Sequence, residues 1–143
     1  MVGNGWDTIF ASGPAFVQPQ TMKSVAILGA STDRTKFGNK AVRAFRDRGF
    51  RVYPINAKVA MVEEIEAFPT VQDLPVRPEI VSVYLPPAIL LQMLPGLASV
   101  GFDEFWLNPG TDTPEVLSAA RELKIPFVQA CSLIRLGVDP SDY

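Results

Sequence analysis

Five short apolar runs punctuate the chain, each ending at a glycine, proline, cysteine or amide-bearing turn residue. Val25-Ala26-Ile27-Leu28 ends at Gly29, and Arg51-Val52-Tyr53-Pro54-Ile55 ends at Asn56-Ala57-Lys58. Ile80 to Leu85 forms the third run, Glu104 to Leu107 the fourth, and Pro126 to Ala130, leading into Cys131, the fifth. Runs of this length read as strands buried on both faces. Between the first two, Gly38 to Arg48 places Ala41, Val42 and Phe45 on one face at helical spacing, with Gly49 as the C-cap. Pro87 opens a second helix whose apolar face is Ile89, Leu90, Met93, Leu94 and Leu97; Thr113-Pro114-Glu115 opens a third that runs to Lys124. Met61 to Leu74 is less regular, and its acidic patch followed by Phe68-Pro69-Thr70 reads as a short helix or turn and a connection.

Strands alternating with helices imply right-handed crossovers and a parallel sheet covered on both sides. The expected fold is a Rossmann-like three-layer α/β/α sandwich with a five-stranded parallel sheet in the order 3-2-1-4-5. Its switch point lies beside strand 1, so a ligand belongs over the carboxyl ends of the strands. Gly29 to Asn39, Asn56 to Lys58, Leu85 to Pro87, Asn108 to Gly110 and Cys131 all fall at those ends. The domain spans residues 23–143. Residues 1–22 lie outside the pattern, as an extension in which Trp6, Ile9 and Phe10 form a docked helical turn or part of an arm.

At 143 residues and 48% hydrophobic, the chain suffices for one domain with a core. No apolar stretch has the length of a membrane span, and the first residues lack a basic start and an unbroken apolar segment. Absence of histidine excludes Ser-His-Asp and Cys-His nucleophile pairs and removes the commonest zinc ligand. The single cysteine, Cys131, allows no intrachain disulfide and suits a reducing, cytoplasmic setting.

The net charge of -2 conceals an asymmetry. Lys23 to Lys58 holds nine basic and two acidic residues; residues 59–143 hold four basic and twelve acidic. Positive charge therefore collects around the first strand-loop-helix unit and favours a polyanionic ligand. Arg43, Arg46 and Arg48 read as the solvated face of the first helix, whereas Arg34 and Lys36 lie in the loop itself. A small ligand is expected rather than nucleic acid, because the basic set is local and carries no aromatic stacking platform.

An NAD fingerprint needs G-x-G-x-x-G directly after the strand and a carboxylate ending strand 2. Here no second glycine follows Gly29 until Gly38, and Asn56 stands where the carboxylate belongs. The ATP-type G-x-x-x-x-G-K-[ST] loop is absent as well. There remains a longer loop with a hydroxyl at Ser31, cations at Arg34 and Lys36, and amides at Gly38 and Asn39, suited to a pyrophosphate or ribose phosphate.

Gly29-Ala30-Ser31, Lys36-Phe37-Gly38-Asn39, Tyr53-Pro54-Ile55-Asn56, Leu85-Pro86-Pro87, Trp106-Leu107-Asn108-Pro109-Gly110 and the late Cys131 resemble the small stand-alone CoA-binding proteins. Their domain is similar to that of the succinyl-CoA synthetase alpha subunit, and the resemblance covers Lys23 to Leu136. It implies coenzyme A as ligand, with Gly29, Ala30 and Ser31 on the pyrophosphate and Lys36, Phe37, Gly38 and Asn39 completing the cradle. It also implies that Asn56, Lys58 and the Leu85-Pro86-Pro87 segment flank the nucleotide, and that Asn108, Pro109 and Gly110 lie near the mouth. The chain departs from the family pattern at Ala57, where proline is usual, and at Asn108, where glutamine is usual; altered affinity is the expected effect.

The synthetases use a phosphohistidine, and this chain has no histidine. The expectation is therefore a CoA-binding or acyl-CoA-binding carrier, sensor or accessory module rather than an enzyme, with a protein partner or a second copy compatible with that role. An NAD(P)-binding oxidoreductase and a scaffold with an unused nucleotide cleft stay open as alternatives. Residue by residue, Ser31 also reads as a turn hydroxyl, Pro86-Pro87 as a strand stop and helix start, Trp106 as core, and Cys131 as a small buried hydrophobe or a thiol reactive toward a thiol ligand.

Overall fold

Side-chain alternation in the first strand sets the layers. The computed structural model describes residues 23–143, so the expected turn or arm at Trp6, Ile9 and Phe10 lies outside the described residues. Strand β1 (Ser24–Leu28) turns Val25 and Ile27 to one face and Ala26 and Leu28 to the other, all fully buried. Helix α1 (Phe37–Asp47) covers the first face with Ala41, Val42 and Phe45. Helices α2 (Pro87–Val100) and α3 (Pro114–Glu122) cover the second through Leu90, Leu94, Leu97, Val116 and Ala120. Pro87 and Pro114 each occupy the first helical turn, where a missing N–H costs nothing, and the Thr113 hydroxyl accepts from the Val116 amide at 3.3 Å.

Beside β1 the sheet contains β2 (Arg51–Ile55), β5 (Ile80–Val83), β6 (Glu104–Leu107) and β7 (Val128–Gln129), all parallel, in the order β2-β1-β5-β6-β7. The Rossmann-like three-layer architecture is as expected, but the order 3-2-1-4-5 is not. The third strand of the sheet in chain order, β5, lies against β1 and leaves β2 at the edge. Two residue-level causes account for this. Pro54 has no N–H to give a second neighbour, so β2 belongs at an edge, whereas Ile80 to Val83 are buried on both faces and require an interior position. The switch point thus falls between β1 and β5.

The stretch expected as a short helix or turn is instead a two-stranded antiparallel hairpin, β3 (Met61–Val62) and β4 (Ile65–Glu66), followed by a 3-10 turn at Val71–Asp73. Its tip residues Glu63 and Glu64 have φ of +52° and +66°, the left-handed pair that a two-residue hairpin turn requires. The expected fifth strand narrows to Val128–Gln129, and a short α4 (Ser132–Arg135) follows it.

Of the three arginines expected on the solvated face of α1, Arg46 and Arg48 are exposed as expected, whereas Arg43 is buried. Arg43 is only 8% exposed and donates to Asn39 Oδ1 (2.7 Å), the Arg34 carbonyl (3.0 Å) and the Tyr143 carbonyl (3.1 Å). Arg46 donates to the Glu63 carbonyl, and Arg48 to that of Gly137. These cations clamp α1 to the loop, the hairpin and the final segment. Among the described residues, no helix is long and apolar enough to cross a membrane.

Candidate functional site

Loops after β1 and β5 leave the sheet in opposite senses at the switch point and open a cleft between them. The cleft has two chambers, of about 390 and 550 Å³, sharing a wall of Gly29, Lys36, Tyr84, Leu85 and Pro86. The first chamber adds Phe37, Gly38, Asn108, Pro109, Gly110, Thr111 and Cys131. The second adds Ala30, Ser31, Ile55, Asn56, Ala57, Lys58, Pro69, Ile89 and Met93. Ser31, Asn56 and Asn108, contributed by loops after three different strands, thus meet at one sheet edge.

The shared wall depends on two glycines. Gly29 has φ +87°, and a Cβ there would stand 2.7 Å from the Tyr84 carbonyl oxygen. A Cβ on Gly38 would overlap the carbonyl oxygen of Gly29, so the first turn of α1 touches the end of β1 directly. This close approach brings the helix N-terminus, with no acidic residue in its first turn, to the strand end.

Three side chains then hold the carbonyls of the intervening loop. Asn56 Nδ2 donates to the Ala30 carbonyl (2.8 Å), Asn39 Nδ2 to that of Ser31 (2.8 Å), and Arg43 to that of Arg34 (3.0 Å). In a trans peptide the next N–H points opposite to the carbonyl. The Ser31 and Thr32 amides therefore face away from Asn56 and Asn39 respectively. Together with the Phe37 and Gly38 amides, they find no acceptor among the described residues. Unpaired amides beside a helix N-terminus make an anion-binding concavity. Lys36 and Lys58 border it, and neither is in an ion pair among the described residues.

The loop and strand-end residues singled out from the sequence play different parts. Gly29, Ala30, Ser31, Lys36, Phe37, Gly38, Asn56, Ala57, Lys58, Leu85, Pro86, Asn108, Pro109 and Gly110 line the cleft. Arg34, Asn39 and Pro87 do not. Arg34 pairs with Glu63 at 3.3 Å, Asn39 is fully buried, and Pro87 begins α2. The Asn108 amide is also occupied internally, donating to the Ser82 hydroxyl and the Val83 carbonyl and accepting from the Ser132 amide at 2.7 Å. Ser31 Oγ accepts from the Asp33 amide, the turn-hydroxyl alternative. Trp106 is core, 6% exposed, with its indole N–H on Glu104.

Tyr84, Thr111, Ile55, Pro69, Ile89 and Met93 line the cleft without having been singled out as site residues. Ile89 and Met93 read from the sequence as core, but Leu90, Leu94 and Leu97 complete that core, and Ile89 remains 48% exposed. The available signal was an apolar stripe on α2 wider than one buried face needs. Phe37 is likewise half exposed at the rim.

Burial pushes the Tyr84 phenol up to about 12; its oxygen lies beside Ser82 and Ser132 without a well-formed hydrogen bond to either. Glu63 sits below the usual carboxylate range, chiefly because Asn39 donates to it and secondarily because of the charge on Arg34. Among the described residues, no group of three His, Cys, Asp or Glu side chains is placed to hold a metal.

Comparison with known proteins gives a consistent picture. The family model for the CoA binding domain matches residues 23–137. The alpha subunit of the ADP-forming acetate–CoA ligase II of Pyrococcus furiosus is 26% identical over 73 residues, which are 50% of this chain and 16% of that one. The corresponding ligase of Archaeoglobus fulgidus is 28% identical over 81 residues, 55% of this chain and 12% of the other. This chain therefore spans only a small part of those ligases. A solved protein of Thermus thermophilus has the same fold, with a TM-score of 0.73 and 30% identity over 82% of this chain and 92% of its own.

Proposed function

This chain belongs to the CoA binding domain family, and from that premise we propose that it binds coenzyme A or an acyl-CoA across the two chambers. The pyrophosphate lies against the Gly29–Ser31 turn and the amides of Phe37 and Gly38, with Lys36 as counter-charge. Lys58 meets a ribose phosphate, Asn56, Leu85, Pro86, Ile89 and Met93 border the nucleotide, and Asn108, Pro109 and Gly110 border the outgoing arm. The supporting observation is the loop itself: its carbonyls are held by Asn56, Asn39 and Arg43, while neighbouring amides stand unpaired beside two lysines. Both glycines are needed where they stand, because a Cβ would run into backbone, that of Tyr84 at position 29 and that of Gly29 at position 38.

The role is that of a carrier, sensor or accessory module without chemistry of its own. The chamber linings contain no carboxylate, and Cys131 has no histidine to activate it. Isothermal titration with CoA, acetyl-CoA, NADH and NADPH tests the reading: heat is expected with the first two only. Binding of NADPH without CoA would overturn it in favour of an oxidoreductase. Lys36→Ala is expected to weaken CoA binding by about tenfold and to flatten its salt dependence. An unchanged Kd at low salt would remove Lys36 from the site.

A further inference from the structure

Glu63 stands at the tip of a hairpin that joins no strand of the main sheet, in a left-handed conformation unfavourable for a residue with a side chain. Its side chain is nevertheless only 16% exposed. One carboxylate oxygen, Oε2, accepts from Asn39 Nδ2 at 3.0 Å and meets Arg34 Nε at 3.3 Å, while the Glu63 carbonyl accepts from Arg46 at 3.0 Å. Each contact is with the β1–α1 unit.

Asn39 is the pivot. Its Nδ2 is shared between the Ser31 carbonyl and Glu63, and its Oδ1 accepts from the buried Arg43. Arg43 fixes which end of the amide is the acceptor, so the two Nδ2 hydrogens must face Ser31 and Glu63. Removing the acceptor at position 63 leaves one hydrogen of a fully buried amide unpaired and takes away one of the two bonds that orient Nδ2, so Asn39 holds the Ser31 carbonyl less firmly. The hairpin turn accounts for the left-handed backbone of Glu63 but not for the docking of its side chain against the β1–α1 loop.

We propose that Glu63 is a positioning residue of the anion site: through Asn39 it holds the Ser31 carbonyl turned away and so keeps the neighbouring amides available to a phosphate. The inference rests on the CoA-binding reading for its ligand but on the ligand-free structure for its geometry. The same carboxylate pairs with the exposed Arg34 side chain, so the loop presents amides and Lys36 to the cleft while Arg34 is engaged with the hairpin.

Two substitutions separate hydrogen bonding from charge. Glu63→Gln and Glu63→Ala both remove the negative charge and release Arg34, but only Gln keeps an oxygen for Asn39 Nδ2. CoA affinity of the Ala variant is expected to be about tenfold below that of the Gln variant, the loss appropriate to one buried hydrogen bond. Inorganic pyrophosphate should show the same ratio. Amide hydrogen exchange of residues 30–38 in the ligand-free proteins is the second readout: faster in Ala, unchanged in Gln. Equal affinities and equal exchange in the two variants would overturn the proposal. If wild type binds no CoA, the functional reading fails, yet the exchange comparison still decides the role of Glu63. If Ala is too unstable to assay, Glu63→Asp shortens the reach of the same acceptor and is expected to raise exchange at residues 30–38; unchanged exchange would overturn the proposal.

Discussion

Tyr84 has one foot in each chamber, and its phenol oxygen is enclosed without a proper partner. Because burial raises this group from its ordinary value near 10 to about 12, the folded state holds the proton more tightly than the unfolded chain. The associated stability is complete below pH 10 and disappears as pH rises toward 12. Between pH 9 and pH 12, wild type is expected to lose about 2–3 kcal/mol more than Tyr84→Phe in urea unfolding. Parallel losses in the two proteins would show that the phenol titrates normally. At neutral pH the Phe variant is expected to be at least as stable, since it removes an unsatisfied buried hydroxyl. Residue identity was legible in the sequence where it marked polar groups at strand ends, but function and support look alike at that level. Asn39 follows Gly38 and Asn56 ends β2, both polar residues at the edge of a loop, and only the three-dimensional structure reveals that their side chains hold loop carbonyls.

Helices and the longer strands were readable because each satisfies its own local rule. Thr113-Pro114 caps α3, Gly49 follows α1 with φ +85°, and β6 occupies the expected Glu104–Leu107. The β3–β4 hairpin was not readable, because its left-handed tip uses two glutamates in place of the usual Asn-Gly and is held by distant side chains. Lys124 presents the same situation after α3, with φ +59° just past the Leu123 C-cap. Glycine takes that conformation without strain. Lys124→Gly is therefore expected to raise the unfolding free energy by about 0.5–1 kcal/mol and the Tm by a few degrees. A lower Tm by calorimetry would show that the lysine makes a compensating contact.

For the whole molecule, local patterns determined the layers but not the order of strands, since both orders use the same apolar runs. The distinguishing information was present at Pro54 and in the uninterrupted burial of Ile80 to Val83, and it has meaning only once the neighbours of each strand are considered together. That order places the cleft where loops following all five strands of the sheet converge. On the proposed reading, a ligand occupying it would link these loops and make binding a global property of the domain. CoA at a hundredfold excess over its Kd is expected to raise the unfolding free energy by about 2.7 kcal/mol as a single cooperative shift. Denaturation monitored by tryptophan fluorescence and by circular dichroism should move together, and separation of the two curves would indicate that the chambers melt independently.

Pro54 has one more effect. Phe68 donates to its carbonyl and accepts from the Asn56 amide, so the outer side of β2 is already engaged by the chain's own return. With only two residues in β7 at the opposite margin, neither border offers a long template on which an incoming strand could prolong the sheet. Self-association by strand addition is thereby blocked at one border and poorly supported at the other, which leaves helical faces and loops as the places where another protein can dock.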